Sequence, residues 1–196
     1  MSLRHYPALA VAACVLLGSS RAGAQEPAAG IEYKLLATSK TSTMEAEMRQ
    51  AAGQGFRFAG VMGGETSFGG SEVVVLMTKA GKPVRFDYQL LATSRTSTMQ
   101  KELQAAGDAG FEYRGQTVFG TAFGGKEVVV ILEREDREMT RPKHEYRLLA
   151  ANKTSTLDKE LADAGALGFT FVGLTVSRTA MGGTEVVAIL RREAAR

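Results

Sequence analysis

The sequence predicts an α+β protein of three β-α-β-β repeats. Each is expected to hold one helix and a mainly antiparallel sheet with its third strand central, the units packed with pseudo-threefold symmetry. Three recurrences carry this reading. A Tyr-x-Leu-Leu-Ala segment opens each copy at Tyr33, Tyr88 and Tyr146. A Gly-Phe pair follows at Gly55-Phe56, Gly110-Phe111 and Gly168-Phe169. A Gly-Gly-x-Glu-Val-Val run then spans Gly69 to Val74, Gly124 to Val129 and Gly182 to Val187. Self-similarity of this kind sets the architecture before any local pattern does.

The repeats occupy residues 31–79, 86–134 and 144–193, joined by linkers 80–85 and 135–143, with tails at 25–30 and 194–196. Pro27, Pro83 and Pro142 each precede a repeat and punctuate rather than fill it. The first strand, about residues 32–39, puts Tyr33, Leu35 and Ala37 on one face, with Leu36 on the other. The helix is expected to start at a capping box, with Ser42 as N-cap and Glu45 reaching back. Ser97 with Gln100 and Ser155 with Asp158 repeat that spacing. Met44, Met48 and Ala51 form one helical stripe, as do Met99, Leu103, Ala106 and Leu157, Leu161, Ala164. Glycines, including Gly55, Gly110 and Gly168, are expected to end the helices.

The second strand is expected to carry Phe56, Phe58 and Gly60 on one face, matched by Phe111, Tyr113, Gly115 and Phe169, Phe171, Gly173. The third, with Val73 to Met77, Val128 to Leu132 and Val186 to Leu190, is apolar on both faces and belongs inside a sheet. A unit near fifty residues is marginal alone, and one helix covers one sheet face, so the units are expected to pack on one another.

Residues 1–24 read as a cleavable leader. Arg4 precedes the apolar stretch Ala8 to Gly18, and Ala22-Gly-Ala24 forms a small-residue cleavage site before Gln25. Val11-Ala-Ala-Cys14 offers a lipoprotein alternative, disfavoured because apolar residues continue past Cys14. The expected location is periplasmic or secreted. The chain has 24 basic and 21 acidic residues; losing Arg4 and Arg21 leaves 22 against 21, a formal charge of +1. Nucleic-acid binding, which needs clustered basic charge, is not expected. Cys14 is the one cysteine, so no disulfide is expected after cleavage. No second long apolar run predicts a membrane span.

The β-α-β-β order, the opening Glu32-Tyr33-Lys34 segment, the Gly-x-Gly-Phe and Gly-x-x-Gly-Phe helix ends and the final apolar strand resemble a small bacterial domain-of-unknown-function family, here in three tandem copies. That family carries Gly-Trp where this chain has Gly-Phe, and this chain has no tryptophan. The resemblance implies a fold and no activity.

His144 is the only histidine outside the leader, and no metal-ligand or triad spacing accompanies it. An enzyme is therefore not expected, nor a cofactor. Glu47, Glu102 and Glu160 recur beside the helical stripe without a second acid that would make a catalytic pair. The candidate ligand or ion-pair positions are polar ones shared by the copies: Lys40, Ser42 and Glu72; Arg95, Ser97 and Glu127; Lys153, Ser155 and Glu185. Hydroxyls and a cation at a helix start can hold an anion. The simpler reading is capping by the hydroxyls. Antiparallel first and third strands would bring Lys40 to Glu72, Arg95 to Glu127 and Lys153 to Glu185. The expected function is a non-catalytic envelope module binding a protein partner or small ligand. The alternatives are an enzyme acting on an anionic substrate at the hydroxyl-rich helix starts, and a structural or assembly module. Oligomerisation stays open.

Overall fold

The structure, a computed structural model, describes residues 30–67, 70–81, 84–120, 126–136, 142–178 and 183–194. Residues 1–29, which include the expected leader and Pro27, lie outside them, as do Pro83, Gly69, Gly124, Gly125 and Gly182. Unit one holds β1 (Glu32–Thr38), α1 (Thr41–Gly53), β2 (Arg57–Thr66) and β3 (Gly70–Lys79). Unit two holds β4 (Phe86–Thr93), α2 (Thr96–Asp108), β5 (Glu112–Gly120) and β6 (Lys126–Glu135). Unit three holds β7 (His144–Ala151), α3 (Thr154–Ala166), β8 (Thr170–Arg178) and β9 (Thr184–Glu193).

Each unit forms a three-stranded antiparallel sheet, ordered β1-β3-β2, β4-β6-β5 and β7-β9-β8. The third strand is central because both its faces are apolar; Val128 to Leu132 of β6 are all buried. No described helix is long and apolar enough to cross a membrane.

The helix starts differ from the capping-box expectation. Lys40, Arg95 and Lys153 occupy the N-cap positions with extended backbone and no side-chain cap bond. Ser42, Ser97 and Ser155 therefore sit inside the first turn. In units one and two the Thr38 and Thr93 hydroxyls support this turn by accepting from the N–H groups of Lys40 and Arg95, at 3.2 and 3.3 Å; unit three makes the same start with Ala151 in that place. The helix ends follow expectation. Gly55, Gly110 and Gly168 have φ near +80 to +90° (89, 82 and 82°). The next residue folds back: Phe56 N–H donates to Ala51 O, Phe111 to Ala106 and Phe169 to Ala164. That is the Schellman bond, and it explains the Gly-Phe pair: glycine takes the left-handed position and phenylalanine packs back on the helix.

The second strand corrects another expectation. Register shifts between Phe58 and Gly60, Tyr113 and Gly115, and Phe171 and Gly173. One extra residue reverses the alternation. Phe58 pairs with Met77 and Gly60 with Leu76, so the two point to opposite faces.

The units stack. α1 lies between its own sheet and the next: Met44 and Met48 share a core with Val73, Val75 and Met77 of β3 and with Tyr88, Val129 and Ile131 of unit two. α2 repeats the arrangement, its core reaching Tyr146 and Ile189 of unit three. Among the described residues, the core of α3 holds unit-three residues alone, including Leu157, Ala164, Phe169 and Leu190. Among the described residues the stack thus reads sheet, helix, sheet, helix, sheet, helix, joined at two seams, and α3 covers no second sheet.

Candidate functional site

The polar positions shared by the copies gather at one end of each sheet. Thr38 pairs with Val73, Thr93 with Val128 and Ala151 with Val186. Lys40, Arg95 and Lys153 thus lie at the sheet ends that carry Glu72, Glu127 and Glu185. Among the described residues, no ion pair joins any of these couples. The three bases are exposed, as are Ser42, Ser97 and Ser155. Glu72 accepts from the Thr66 hydroxyl instead. Glu185 accepts from Thr96 Oγ1 at 2.6 Å, a bond from the start of α2 to unit three. The charges share an end without converging on one cradle.

The denser polar chemistry sits at the joints between units. At the first joint, Tyr88 Oη donates to Glu133 Oε2 at 2.8 Å and accepts from Phe58 N–H at 2.8 Å. Glu133, 4% exposed, also takes Arg57 Nη2 at 2.7 Å and Arg114 Nε at 3.3 Å. Burial foremost, then the adjacent carboxylate, pushes the Tyr88 phenol far up. The hydrogen bond to Glu133 raises Arg57 against its partial burial. At the second joint, Tyr146 Oη donates to Phe111 O at 3.0 Å and accepts from Tyr113 N–H at 2.7 Å. Burial lifts Tyr146 to about 12. These phenols stay protonated donors at neutral pH.

The ion pairs of the two joints have opposite polarity. Register makes Glu133 equivalent to Arg191, since Tyr88 pairs with one and Tyr146 with the other. Arg57 and Glu112 likewise open β2 and β5. Joint one sets Arg57 on Glu133; joint two sets Glu112 on Arg191 at 3.1 Å.

Helix side chains also cap the open edge of the next sheet. Gln100 accepts from Leu148 N–H at 2.8 Å and donates to Tyr146 O at 2.9 Å. Gln104 accepts from Tyr146 N–H at 3.0 Å. On α1 an acid and a base share the capping between them. Glu45 accepts from Leu90 N–H and Arg49 Nε donates to Tyr88 O, both at 2.8 Å. Glu45 is thus an inter-unit brace, not half of a capping box. Satisfying an edge strand in this way removes its free N–H and C=O groups.

Glycines set the close approaches. A Cβ on Gly107 would fall within contact of the His144 carbonyl and 2.9 Å from the Tyr146 ring. A Cβ on Gly115 would lie 3.0 Å from the Phe58 ring, and one on Gly173 2.7 Å from Tyr113 Cζ. Each joint therefore seats an aromatic side chain of one unit over a glycine of the next.

The surfaces equivalent to these joints are open at both ends of the stack. On unit one, Ile31, Tyr33, Leu35 and Met62 are exposed. On unit three, Leu167, Phe171, Leu174 and Val176 are exposed. A shallow hollow of about 500 Å³, lined by Glu65, Ser71, Val118, Lys126 and Val176, draws on all three units. Among the described residues, no three His, Cys, Asp or Glu side chains group as metal ligands. Comparison of the chain with protein-family models, curated proteins and solved structures finds no match.

Sequence reasoning compared the copies where they agree, which located helix starts and sheet ends. The joints use positions where the copies differ: Arg57 and Glu112, Glu133 and Arg191, Arg49 and Gln104. The signal was the reversal of sign at two positions together.

Proposed function

We propose that the chain is an exported, non-catalytic binding module whose working surfaces are the apolar faces at the ends of its stack. One contrast carries the reading. Tyr88 and Tyr146 are 0% and 2% exposed beneath a helix of the preceding unit, whereas the equivalent Tyr33 is 66% exposed. An apolar sheet face rimmed by polar residues marks a place where something docks. The leader-like residues 1–24 support delivery outside the cytoplasm.

The test is site-specific photocrosslinking in the producing cell, with a benzophenone amino acid at Leu35 of the full chain. The expected result is a discrete crosslinked species that is absent when the probe stands at Gln50, an exposed position on α1 away from the joints. Equal, diffuse labelling from both positions would overturn the reading.

A further inference from the structure

We infer that the occupant of the open sheet face is a second copy of this chain, docked head to tail. In this arrangement α3 of one molecule covers the first sheet of the next. The inference rests on the reading that the end faces are working surfaces. It goes further by naming what sits there.

The joints already present supply the argument. Each has the same direction: the helix and the β2-type strand of one unit meet the first strand and the bulge glycine of the following unit. The tail of unit three keeps the parts such a joint needs. Gly165 repeats Gly107 of the second joint (the first joint closes on Ala52 at the same place), and among the described residues nothing lies within 4 Å of a Cβ added there. Phe171 repeats Phe58 and Tyr113, the aromatics seated over the next glycine, and it is 58% exposed. The head of unit one keeps the complementary parts. Gly60, the counterpart of Gly115 and Gly173, has no described residue within 4 Å of an added Cβ. Tyr33 and Leu35 repeat the buried Tyr88 and the part-buried Leu90.

The polar positions agree with this. Where the internal joints set Arg57 on Glu133 and Glu112 on Arg191, the joint between molecules would set Thr170 on Thr78. Two hydroxyls bury no unpaired charge. The braces predict a weaker contact than the internal ones. Asp158 and Ala162 stand where α2 has Gln100 and Gln104, so one edge-capping side chain is missing. A head-to-tail contact of this kind is heterologous. It propagates into a ring or a filament according to the rotation per step.

The test is sedimentation velocity on the full chain, as its host processes it, over a range of concentrations. Wild type is expected to grow in mass with concentration. Gly165→Phe disables the tail and Tyr33→Glu the head; both positions are exposed, and circular dichroism checks that each variant folds. Each is expected to be monomeric alone, and an equimolar mixture should form dimers and nothing larger, because one intact head then meets one intact tail. If either variant fails to fold, Phe171→Ser and Gly60→Val replace the pair. Ala162→Gln restores the missing brace and should lower the concentration for half-association about threefold or more, the effect of one net hydrogen bond. Wild type that stays monomeric, single variants that associate like wild type, or a mixture that fails to dimerise would each overturn the inference. A monomeric wild type that still crosslinks a different protein from Leu35 would overturn it and leave the binding-module reading standing. A monomer without that crosslink removes both.

Discussion

Tyr88 Oη stands 2.8 Å from Glu133 Oε2 within unit two, and this buried pair is the receptor for Arg57 of unit one. The phenol also receives the Phe58 N–H, so one side chain satisfies a carboxylate and a backbone donor across the joint. Tyr88→Phe leaves the Phe58 N–H without its acceptor and removes one donor from Glu133, which keeps Arg57 and Arg114. The expected loss is about 1–3 kcal/mol in chemical denaturation. Tyr33→Phe, at the exposed equivalent, should change stability by less than about 0.5 kcal/mol in dilute solution.

Reversing one charge at that joint should be costly and reversing both should partly repair it. Arg57→Glu places a carboxylate against the buried Glu133. The half-exposed position of Arg57 holds the expected destabilisation to about 1–2 kcal/mol. Adding Glu133→Arg restores opposite signs, but the new guanidinium meets Arg114, which already contacts that site. A double-mutant cycle by denaturant titration should show favourable coupling with incomplete recovery.

The two equivalent helix glycines should respond in opposite directions. Gly107→Ala drives a methyl into the His144 carbonyl and the Tyr146 ring, at an expected cost of about 1–3 kcal/mol. Gly165→Ala enters open space on an exposed helix and should stabilise by about 0.5–1 kcal/mol at monomeric concentrations. Thermal melting of the two variants checks the contrast.

Acid should loosen the second joint through His144. The imidazole is buried, neither nitrogen has a hydrogen-bond partner among the described residues, and Glu112 Oε1 lies 3.6 Å away. Burial first, then Arg191, lowers its pKa from 6.5, against the opposing pull of Glu112 and Glu193. The unfolded chain therefore takes up the proton before the folded one. Stability is fully present above about pH 6.5 and falls as pH drops from there through the folded value. His144→Phe, which copies Phe86 of unit two, should flatten that limb in melts taken between about pH 7 and pH 5.

The leader-like character of residues 1–24 gives a prediction for the chain terminus. Protein recovered from its host should begin at or near Gln25, as read by N-terminal sequencing. Retention of Met1 in the mature pool would contradict the cleavage reading.

Strand order and helix ends were legible because they depend on residues close in sequence. A doubly apolar Val-Val-Val strand sits centrally in any unit, and Gly-Phe marks a Schellman end wherever a helix stops. The bulge was not legible: Phe58 and Gly60 stand two apart, and period two puts them on one face unless an extra residue intervenes. The helix start was misread because a Ser-x-x-Glu spacing suits a capping box, while the helix begins two residues earlier, after Lys40, and Glu45 found its donor in Leu90. The joints were hidden because they require knowing which unit lies next to which. The shared bases and acids were placed at the correct sheet ends, yet the acids of units one and three took threonine hydroxyls.

The reversed polarity of Arg57–Glu133 and Glu112–Arg191 has a consequence for how such a chain reaches its structure. Tandem copies of one fold invite a kinetic trap in which unit three settles on unit one and leaves the middle copy looped out. That misassembly would press Arg57 against Arg191. The two joints reject each other's partners, so the wrong order is penalised early, while the sheets are still choosing neighbours.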